Sequence, residues 1–278
     1  MKKVLNLALG SALGLTAICA LTGCGSVDAS RKNIDFKEYT NVIDEDQFEE
    51  EYEKLMDTLT TINKSFTYER YEYYTENETF NNNVSSIENY EYSTYKFDFN
   101  NEILLKNEEN YSNSKSVKRE RIVEASAKTQ TQKDGNSYIL FDLNNKYYTE
   151  TSYDSIPDDF FRSNGNYYGT YEFTYFTVDK YYKDGDVLTI TYKIKDSNST
   201  DTVYSDLNGK VQFYKDGDAY YGAYSLSYKE TDNYDNAKDE LIYLNEGFEK
   251  LNICDVKLKS LSKDDYTYGD ISGLVSHY

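Results

Sequence analysis

Few residues in this chain have the types and spacing that catalysis or metal binding requires. The sequence contains one histidine, His277, and three cysteines, Cys19, Cys24 and Cys254. It therefore offers no histidine pair for zinc and no cysteine with a well-placed histidine base. Cys19 and Cys24 belong to the export signal described below, so Cys254 would have no partner for a zinc site. The 49 acidic residues leave a glycosidase-like carboxylate pair open, but spacing singles out no two of them. We predict a protein that is not an enzyme and has no catalytic residue, metal or cofactor.

Two acidic turns are the remaining metal candidates. Asp184-Gly185-Asp186 and Asp216-Gly217-Asp218 each place two carboxylates close together, and calcium prefers oxygen ligands of this kind. Neither run has the spacing of a twelve-residue calcium loop. We interpret both as hairpin turns, with calcium as the alternative.

The start of the chain has the pattern of an export signal. Two lysines precede an apolar run over residues 4–20, and Leu21-Thr22-Gly23-Cys24 follows. This segment resembles the lipobox of bacterial lipoprotein precursors. The resemblance implies that residues 1–23 form a signal peptide that is removed and that Cys24 then carries the lipid. It also implies a protein anchored to the outer face of the cytoplasmic membrane.

Charge limits the partners of the mature chain. Without residues 1–23 it has 28 basic and 49 acidic residues, a formal charge of −21. Such a chain is repelled by nucleic acid, which we exclude as a partner. The strongest local exception comprises Lys115, Lys118, Arg119 and Arg121, which we interpret as a solvated strand face, with an anion-binding patch as the alternative.

Apolar spacing predicts a helix near the start of the mature chain. Residues 24–43 lack a core pattern and are assigned to a lipidated tether. From Asp44, apolar residues recur at helical steps, and Asp44 and Gln47 have the spacing of a capping box. The apolar stripe consists of Phe48, Tyr52, Leu55, Met56, Leu59 and Ile62.

After Ser65 the apolar period changes to two, which indicates antiparallel strands with one wet face each. Two-residue hairpin turns are predicted at Asp134-Gly135, Asp184-Gly185, Asn208-Gly209 and Asp216-Gly217. Pro157 predicts a short helix or turn. A second helix is predicted near the end from the spacing of Leu241, Leu244, Phe248 and Leu251. Cys254, in an apolar neighbourhood, is interpreted as a small buried hydrophobe.

A helix followed by a long meander resembles the lipoprotein-carrier superfamily of open half-barrels. The resemblance includes short sequence segments such as Phe97-Asp98-Phe99-Asn100-Asn101 and residues 134–142. It implies an α+β fold, in which a large curved antiparallel meander packs on the N-terminal helix and a second, C-terminal helix. Residues 44–278 would form this single domain, with an apolar cavity for lipid.

Tyrosine supplies the main alternative. The chain has 32 tyrosines, many of them in clusters, and adjacent residues of a strand point to opposite faces, so one ring of each doublet can be core and the other exposed. The clusters lie at 71–74, 147–148, 167–168, 181–182 and 220–221. We therefore predict an envelope lipoprotein that binds a lipid or another hydrophobic ligand. The alternative is a surface or adhesion module that binds an envelope protein or a glycan through a tyrosine-rich sheet face.

Overall fold

The computed structural model describes residues 31–60, 64–80, 83–151, 175–195, 202–234 and 237–269. The first half of this part contains β1 (Val42–Ile43), α1 (Glu45–Thr60), β2 (Phe66–Phe80), β3 (Asn83–Asp98), β4 (Ile103–Ser116), β5 (Arg119–Asp134), β6 (Ser137–Asp142) and β7 (Tyr147–Thr151). The second half contains β8 (Phe176–Asp184), β9 (Val187–Ile194), β10 (Thr202–Asp216), β11 (Ala219–Tyr234), β12 (Ala237–Ile253), a 3-10 turn (Lys263–Asp265) and β13 (Thr267–Tyr268).

All thirteen strands in the described ranges belong to one sheet. Their order is β1-β8-β9-β10-β11-β12-β2-β3-β4-β5-β6-β7-β13, and only the β13–β7 pair is parallel. The sheet consists of two meanders, β2–β7 and β8–β12, which are joined where the last strand of the second pairs with the first strand of the first. The antiparallel meander that we predicted is therefore confirmed.

The predicted fold class is wrong in its helical part. The protein is mostly β, with one α-helix among the described residues, and is not an α+β half-barrel with helices at both ends. Leu241, Leu244, Phe248 and Leu251, predicted as a helix, lie in β12. Leu251 packs in one core cluster, while Leu244 and Phe248 pack against another on the opposite face. A strand that is covered on both faces carries two interleaved apolar stripes, and their combined spacing imitates a helix.

Helix α1 is confirmed, including its start. The backbone N–H of Gln47 donates to the Asp44 carboxylate at 2.8 Å, and Gln47 Oε1 accepts from the Asp44 N–H at 3.4 Å. This is the reciprocal capping pair that the spacing predicted. Phe48 is buried in one core cluster, and Leu55 packs against that cluster and a second one. We call the side of the sheet under α1 the helix face.

The other side of the sheet is covered by two extended segments, so we call it the strap face. Buried glutamine side chains hold both segments. Gln212, with 0% exposure, donates to the Lys37 carbonyl and accepts from the Lys37 N–H, both at 2.8 Å. Gln132 makes the same two bonds to Leu261, at 3.0 and 2.8 Å. Each glutamine amide thus replaces a neighbouring peptide group, so that the segments need no strand pairing.

The N-terminal strap comprises residues 31–41, which the sequence assigns to the tether. Its Ile34 packs on a strap-face cluster of Tyr71, Tyr73 and Tyr90. Phe36 lies under the Lys210 ammonium, 3.9 Å from ring centroid to Nζ. The strap therefore shields apolar rings that would otherwise face water.

Three of the four predicted hairpins are present, but each loop lies one residue later than predicted. Gly135, Gly185 and Gly217 take φ of 65°, 61° and 60°, and each is the first of two loop residues. The residue after each glycine has no positive φ, which is the pattern of a type II′ turn. The prediction at Asn208-Gly209 is wrong, because both residues lie inside β10. Pro157 lies outside the described residues.

Candidate functional site

A row of aromatic rings crosses the helix face beyond α1. We call it the tyrosine ladder. It runs through β8, β10, β11, β12 and β2, and its members are Tyr175, Phe176, Tyr204, Tyr228, Tyr243 and Tyr74. Side chains at directly paired positions of neighbouring strands lie on the same face, as do Tyr228 and Tyr243. The antiparallel register is therefore what brings these distant residues together.

The rings of the ladder contact one another in sequence. Tyr175 stacks on Tyr204 with centroids 4.6 Å apart, and Tyr204 lies 5.9 Å from Tyr228. Tyr228 stacks on Tyr243 at 4.7 Å, and Tyr243 meets Tyr74 edge to face at 5.3 Å. The inner rings have an aromatic neighbour on each side, so their faces pack against other rings. Separations of this size are those of favourable aromatic pairs.

Carboxylates flank the ladder. The Tyr74 hydroxyl donates to Glu76, and Glu230 lies beside Tyr204 in the register. Burial, followed by the nearby Glu230 charge, raises the pKa of Tyr204. Burial and the charge of Asp232 in turn raise the pKa of Glu230. The tyrosine hydroxyls therefore stay protonated and can donate hydrogen bonds, while the carboxylates can accept them.

A second charged group lies on the helix face between the ladder and β5. Glu72, Glu91 and Glu108 come from adjacent strands, and Arg70 approaches Glu72 at 3.2 Å. Burial would raise the pKa of Glu108, but the ion pair with Lys106 and the hydrogen bond from Asn110 outweigh it and hold this pKa below its usual value. Burial, and the charges of Glu108 and Glu72, raise the pKa of Glu91. Ion pairs with Arg70 and Lys106 thus neutralise part of the negative charge of this group.

The aspartates of the two candidate calcium turns lie in or beside hairpin turns. The Asp184 carboxylate accepts backbone N–H groups of Thr40 at 2.7 Å and Asn41 at 3.1 Å, and these bonds lower its pKa. It therefore fastens the end of the N-terminal strap. Asp186 and Asp218 follow the turn glycines, and Asp216 ends β10. Within the described ranges no group of three or more His, Cys, Asp or Glu residues is placed to hold a metal.

The other predicted residues are distributed as follows. Cys254 is half-buried and has a free thiol. Cys24 and His277 lie outside the described residues, as does the doublet at 167–168. Tyr220 is buried whereas Tyr221 is half-buried, and these two rings lie on opposite faces.

The sequence does not reveal most of the ladder. Tyr204, Tyr228 and Tyr243 stand outside the tyrosine clusters, and only Tyr74 belongs to one. The alternation of Tyr224, Leu226 and Tyr228 does place Tyr228 on one face with two apolar neighbours. What alternation lacks is the register between β11 and β12, which pairs Tyr228 with Tyr243.

Comparison with known proteins yields little. No protein-family model and no curated protein matches the chain. Among solved structures it is similar to Pseudomonas aeruginosa OccK2 (OpdF) in complex with glucuronate, with 6% sequence identity and a TM-score of 0.19. The match covers 69% of this chain and 56% of that chain, so the chain spans little more than half of the matched structure's length. A TM-score of this size supports no argument about fold or function.

None of the helices in the described part of the chain is both long and apolar enough to span a bilayer.

Proposed function

We propose that the protein is a lipid-anchored, non-enzymatic interaction module that binds a protein partner through its tyrosine ladder. The ladder carries this proposal, because it is a continuous row of six rings rimmed by hydroxyls and carboxylates. The lipid-binding function rested on resemblance to a fold with helices at both ends, and the predicted C-terminal helix is strand β12. The alternative, a tyrosine-rich binding face, is therefore the better supported function.

A protein partner fits the ladder better than a glycan does. Sugar rings pack on the exposed faces of aromatic side chains, but Tyr228 and Tyr243 use their faces on their neighbours. Only the end ring, Tyr175, is substantially exposed, at 46%. The tyrosine hydroxyls and the carboxylates of Glu76 and Glu230 suit lysine, arginine and amide groups. We infer that the partner presents a basic or amide-rich surface.

The anchor would leave the ladder accessible. If Cys24 carries the lipid, it lies seven residues before Arg31, and an extended chain spans that separation in at most about 25 Å. Arg31 is bound on the strap face, where its Nη2 contacts Glu246 at 2.6 Å. The strap face would then lie towards the membrane, and the ladder, on the opposite face, would point away from it.

Removal of the ladder hydroxyls tests this proposal. The variant Tyr204→Phe/Tyr228→Phe/Tyr243→Phe keeps the rings and their packing but loses three hydrogen-bonding groups. A matched control, Tyr147→Phe/Tyr221→Phe/Tyr268→Phe, removes three hydroxyls outside the ladder. Each mature full-length protein is compared with wild type by quantitative mass spectrometry of cross-linked envelope proteins, followed by affinity measurement with the purified partner.

We expect a partner to cross-link to wild type and to the control, and its affinity for the ladder variant to fall by about tenfold, the equivalent of one hydrogen bond. Equal affinity for wild type and ladder variant would contradict the proposal. Lipid that co-purifies stoichiometrically in a native mass spectrum would favour the hydrophobic-ligand function instead.

A further inference from the structure

An open trough lies at the corner of the helix face where the β2–β3 and β4–β5 hairpins end. Its volume is about 370 Å³, and four neighbouring strands line it. Glu76 and Glu78 from β2 form one side, and Arg119 and Arg121 from β5 form the other. The serines between them, on β3 and β4, are Ser85, Ser86, Ser114 and Ser116.

Strand register places the opposite charges on the same face. Glu78 pairs with Ser85, while Ser114 and Ser116 pair with Arg121 and Arg119. Directly paired side chains share a face, so the two carboxylates, the two guanidinium groups and the hydroxyls of Ser85, Ser114 and Ser116 lie on the trough side. Ser86 pairs with Lys115, and both side chains lie on the other face of the sheet. Three strand spacings of about 4.8 Å separate β2 from β5, or about 14 Å between their backbones.

The two arginines are available to a ligand. Arg31 and Arg70 each make an ion pair with a glutamate. In the part of the chain that the structure describes, Arg119 and Arg121 make no ion pair and no side-chain hydrogen bond, although acidic residues far outnumber basic ones. The Ser85 hydroxyl already donates to Glu78 at 3.1 Å, which orients this carboxylate within the trough.

We propose that this trough binds a small zwitterion, with its phosphate or carboxylate at Arg119 and Arg121 and its amine at Glu76 and Glu78. Guanidinium groups bind such anions through paired N–H donors, and the serine hydroxyls supply further hydrogen bonds. The two glutamates repel ligands with several negative charges, so the trough selects against polyanions.

This site is separate from the proposed function. Glu76 also accepts from Tyr74 in the ladder, so the test uses Glu78 and the arginines. The ladder hydroxyl variant leaves the trough unchanged, and arginine variants leave the ladder unchanged. Failure of one proposal is therefore distinguishable from failure of the other.

The test is isothermal titration calorimetry of the mature full-length chain in non-ionic detergent. The probes are O-phosphoethanolamine, inorganic phosphate and ethanolamine. We expect O-phosphoethanolamine to bind tightest, with Arg119→Gln/Arg121→Gln weakening it by about tenfold or more. Glu78→Gln should remove the preference over phosphate. The control, Lys96→Gln/Lys128→Gln, removes two charges from the opposite face of β3 and β5 and should bind normally.

Three results would overturn the proposal: no heat of binding with O-phosphoethanolamine, equal binding by wild type and the arginine variant, or an equal loss in the lysine control. Thermal melts check that every variant is folded. Vesicles of phosphatidylethanolamine, compared with phosphatidylcholine, then identify the source of the ligand. Selective vesicle binding indicates a lipid headgroup, and binding of the free compound alone indicates a soluble zwitterion.

Discussion

At the scale of single residues, Gly247 shows how closely the sheet is packed. It lies within β12 and pairs directly with Tyr224, whose ring covers it. A Cβ at this position would lie 2.5 Å from the Tyr71 carbonyl oxygen and 2.8 Å from Tyr224 Cε1. Both distances are below van der Waals contact, and the first involves backbone that has little freedom to move. Glycine is unfavourable inside a strand, and this close approach explains its presence in β12.

We expect Gly247→Ala to lower the free energy of unfolding by about 1 to 3 kcal/mol, the usual cost of overpacking. Urea denaturation measures the change. Ser225→Ala, on the neighbouring strand, is the matched control and should stay within about 0.5 kcal/mol of wild type. A Gly247→Ala protein as stable as this control would show that β12 can move away from Tyr71.

Glu91 is the residue for which the structure predicts a dependence on pH. Its carboxyl group directly opposes Glu72 across the β2–β3 pair, and burial and nearby negative charge raise its pKa above the ordinary glutamate value of 4.5. The native state therefore holds this proton to higher pH than the unfolded state does. Stability from this group consequently falls as pH rises from 4.5 through the native pKa.

The glutamine of Glu91→Gln is neutral, like protonated Glu91, so the variant should not lose this stability as pH rises. We expect the variant to exceed wild type in stability at pH 7 by about 0.2 to 1 kcal/mol, the usual range for opposed like charges. The difference should vanish below the ordinary glutamate pKa. Thermal melts at pH 7 and at a pH below 4.5 provide the measurement. Glu150→Gln, on β7, controls for the loss of one negative charge. A variant less stable than wild type at pH 7 would refute the expectation.

At the scale of elements, helix α1 and the N-terminal strap cover opposite faces by different means. The helix uses apolar packing, with the rings of Tyr52 and Phe213 5.0 Å apart. The strap uses polar anchors, among them Gln212, Asp184 and the Arg31–Glu246 pair. Packing of one helix face requires apolar residues at periodic positions in the sequence, whereas single polar anchors follow no periodic pattern. This difference explains why the sequence predicts the helix but assigns residues 31–41 to a tether.

Truncation of apolar residues in α1 should cost stability in proportion to their burial. We expect Phe48→Ala, at a buried site, to cost about 3 to 5 kcal/mol, and Leu55→Ala, which is half-buried, about 2 kcal/mol. Glu53→Ala on the exposed side is the control. Urea denaturation of all three compares them, and values near wild type for both apolar variants would show that α1 is not fixed to the sheet. The Leu59 side chain lies outside the described residues.

The Arg31–Glu246 pair should stabilise the strap mainly by neutralising a buried carboxylate. The side chain of Glu246 is 6% exposed and that of Arg31 is 54% exposed. Arg31→Ala leaves a buried charge without its cation, so we expect a loss of about 1 to 3 kcal/mol in unfolding free energy. In the double variant Arg31→Ala/Glu246→Gln that charge is absent, so part of the lost stability should be restored. Lys257→Ala, which removes an exposed pair with Asp255, should have little effect. No recovery in the double variant would contradict this explanation.

At the scale of the whole molecule, the mature chain combines a formal charge of −21 with an inferred lipid anchor at Cys24. Two acyl chains hold a protein stably at a bilayer, each buried methylene contributing about 0.8 kcal/mol. We expect Cys24→Ala to abolish lipidation and to leave the protein in the aqueous phase or as an unprocessed precursor. Partition between water and detergent, with intact mass measurement, tests this. Cys254→Ala is the matched control and should partition like wild type, and equal recovery of the Cys24 variant from detergent would refute the inference.

Features that depend on neighbouring residues could be predicted from the sequence. Helical spacing and a capping pair are local, so α1 and its start at Asp44 were predictable. Glycine tolerates positive φ, so three hairpins were predictable at Gly135, Gly185 and Gly217, although the loops shifted by one residue. Alternation indicated the strands and the opposite faces of adjacent tyrosines.

The neighbours of each strand are set by tertiary contacts. Alternation assigns residues to faces, but the β12–β2 pairing and the β11–β12 register depend on contacts far apart in sequence. These contacts assemble both the tyrosine ladder and the trough. They also cover β12 on both faces, which is why its apolar spacing imitated a helix. The physical reason is that hydrophobic periodicity records burial along one element, whereas a binding surface on a sheet is formed across the strands.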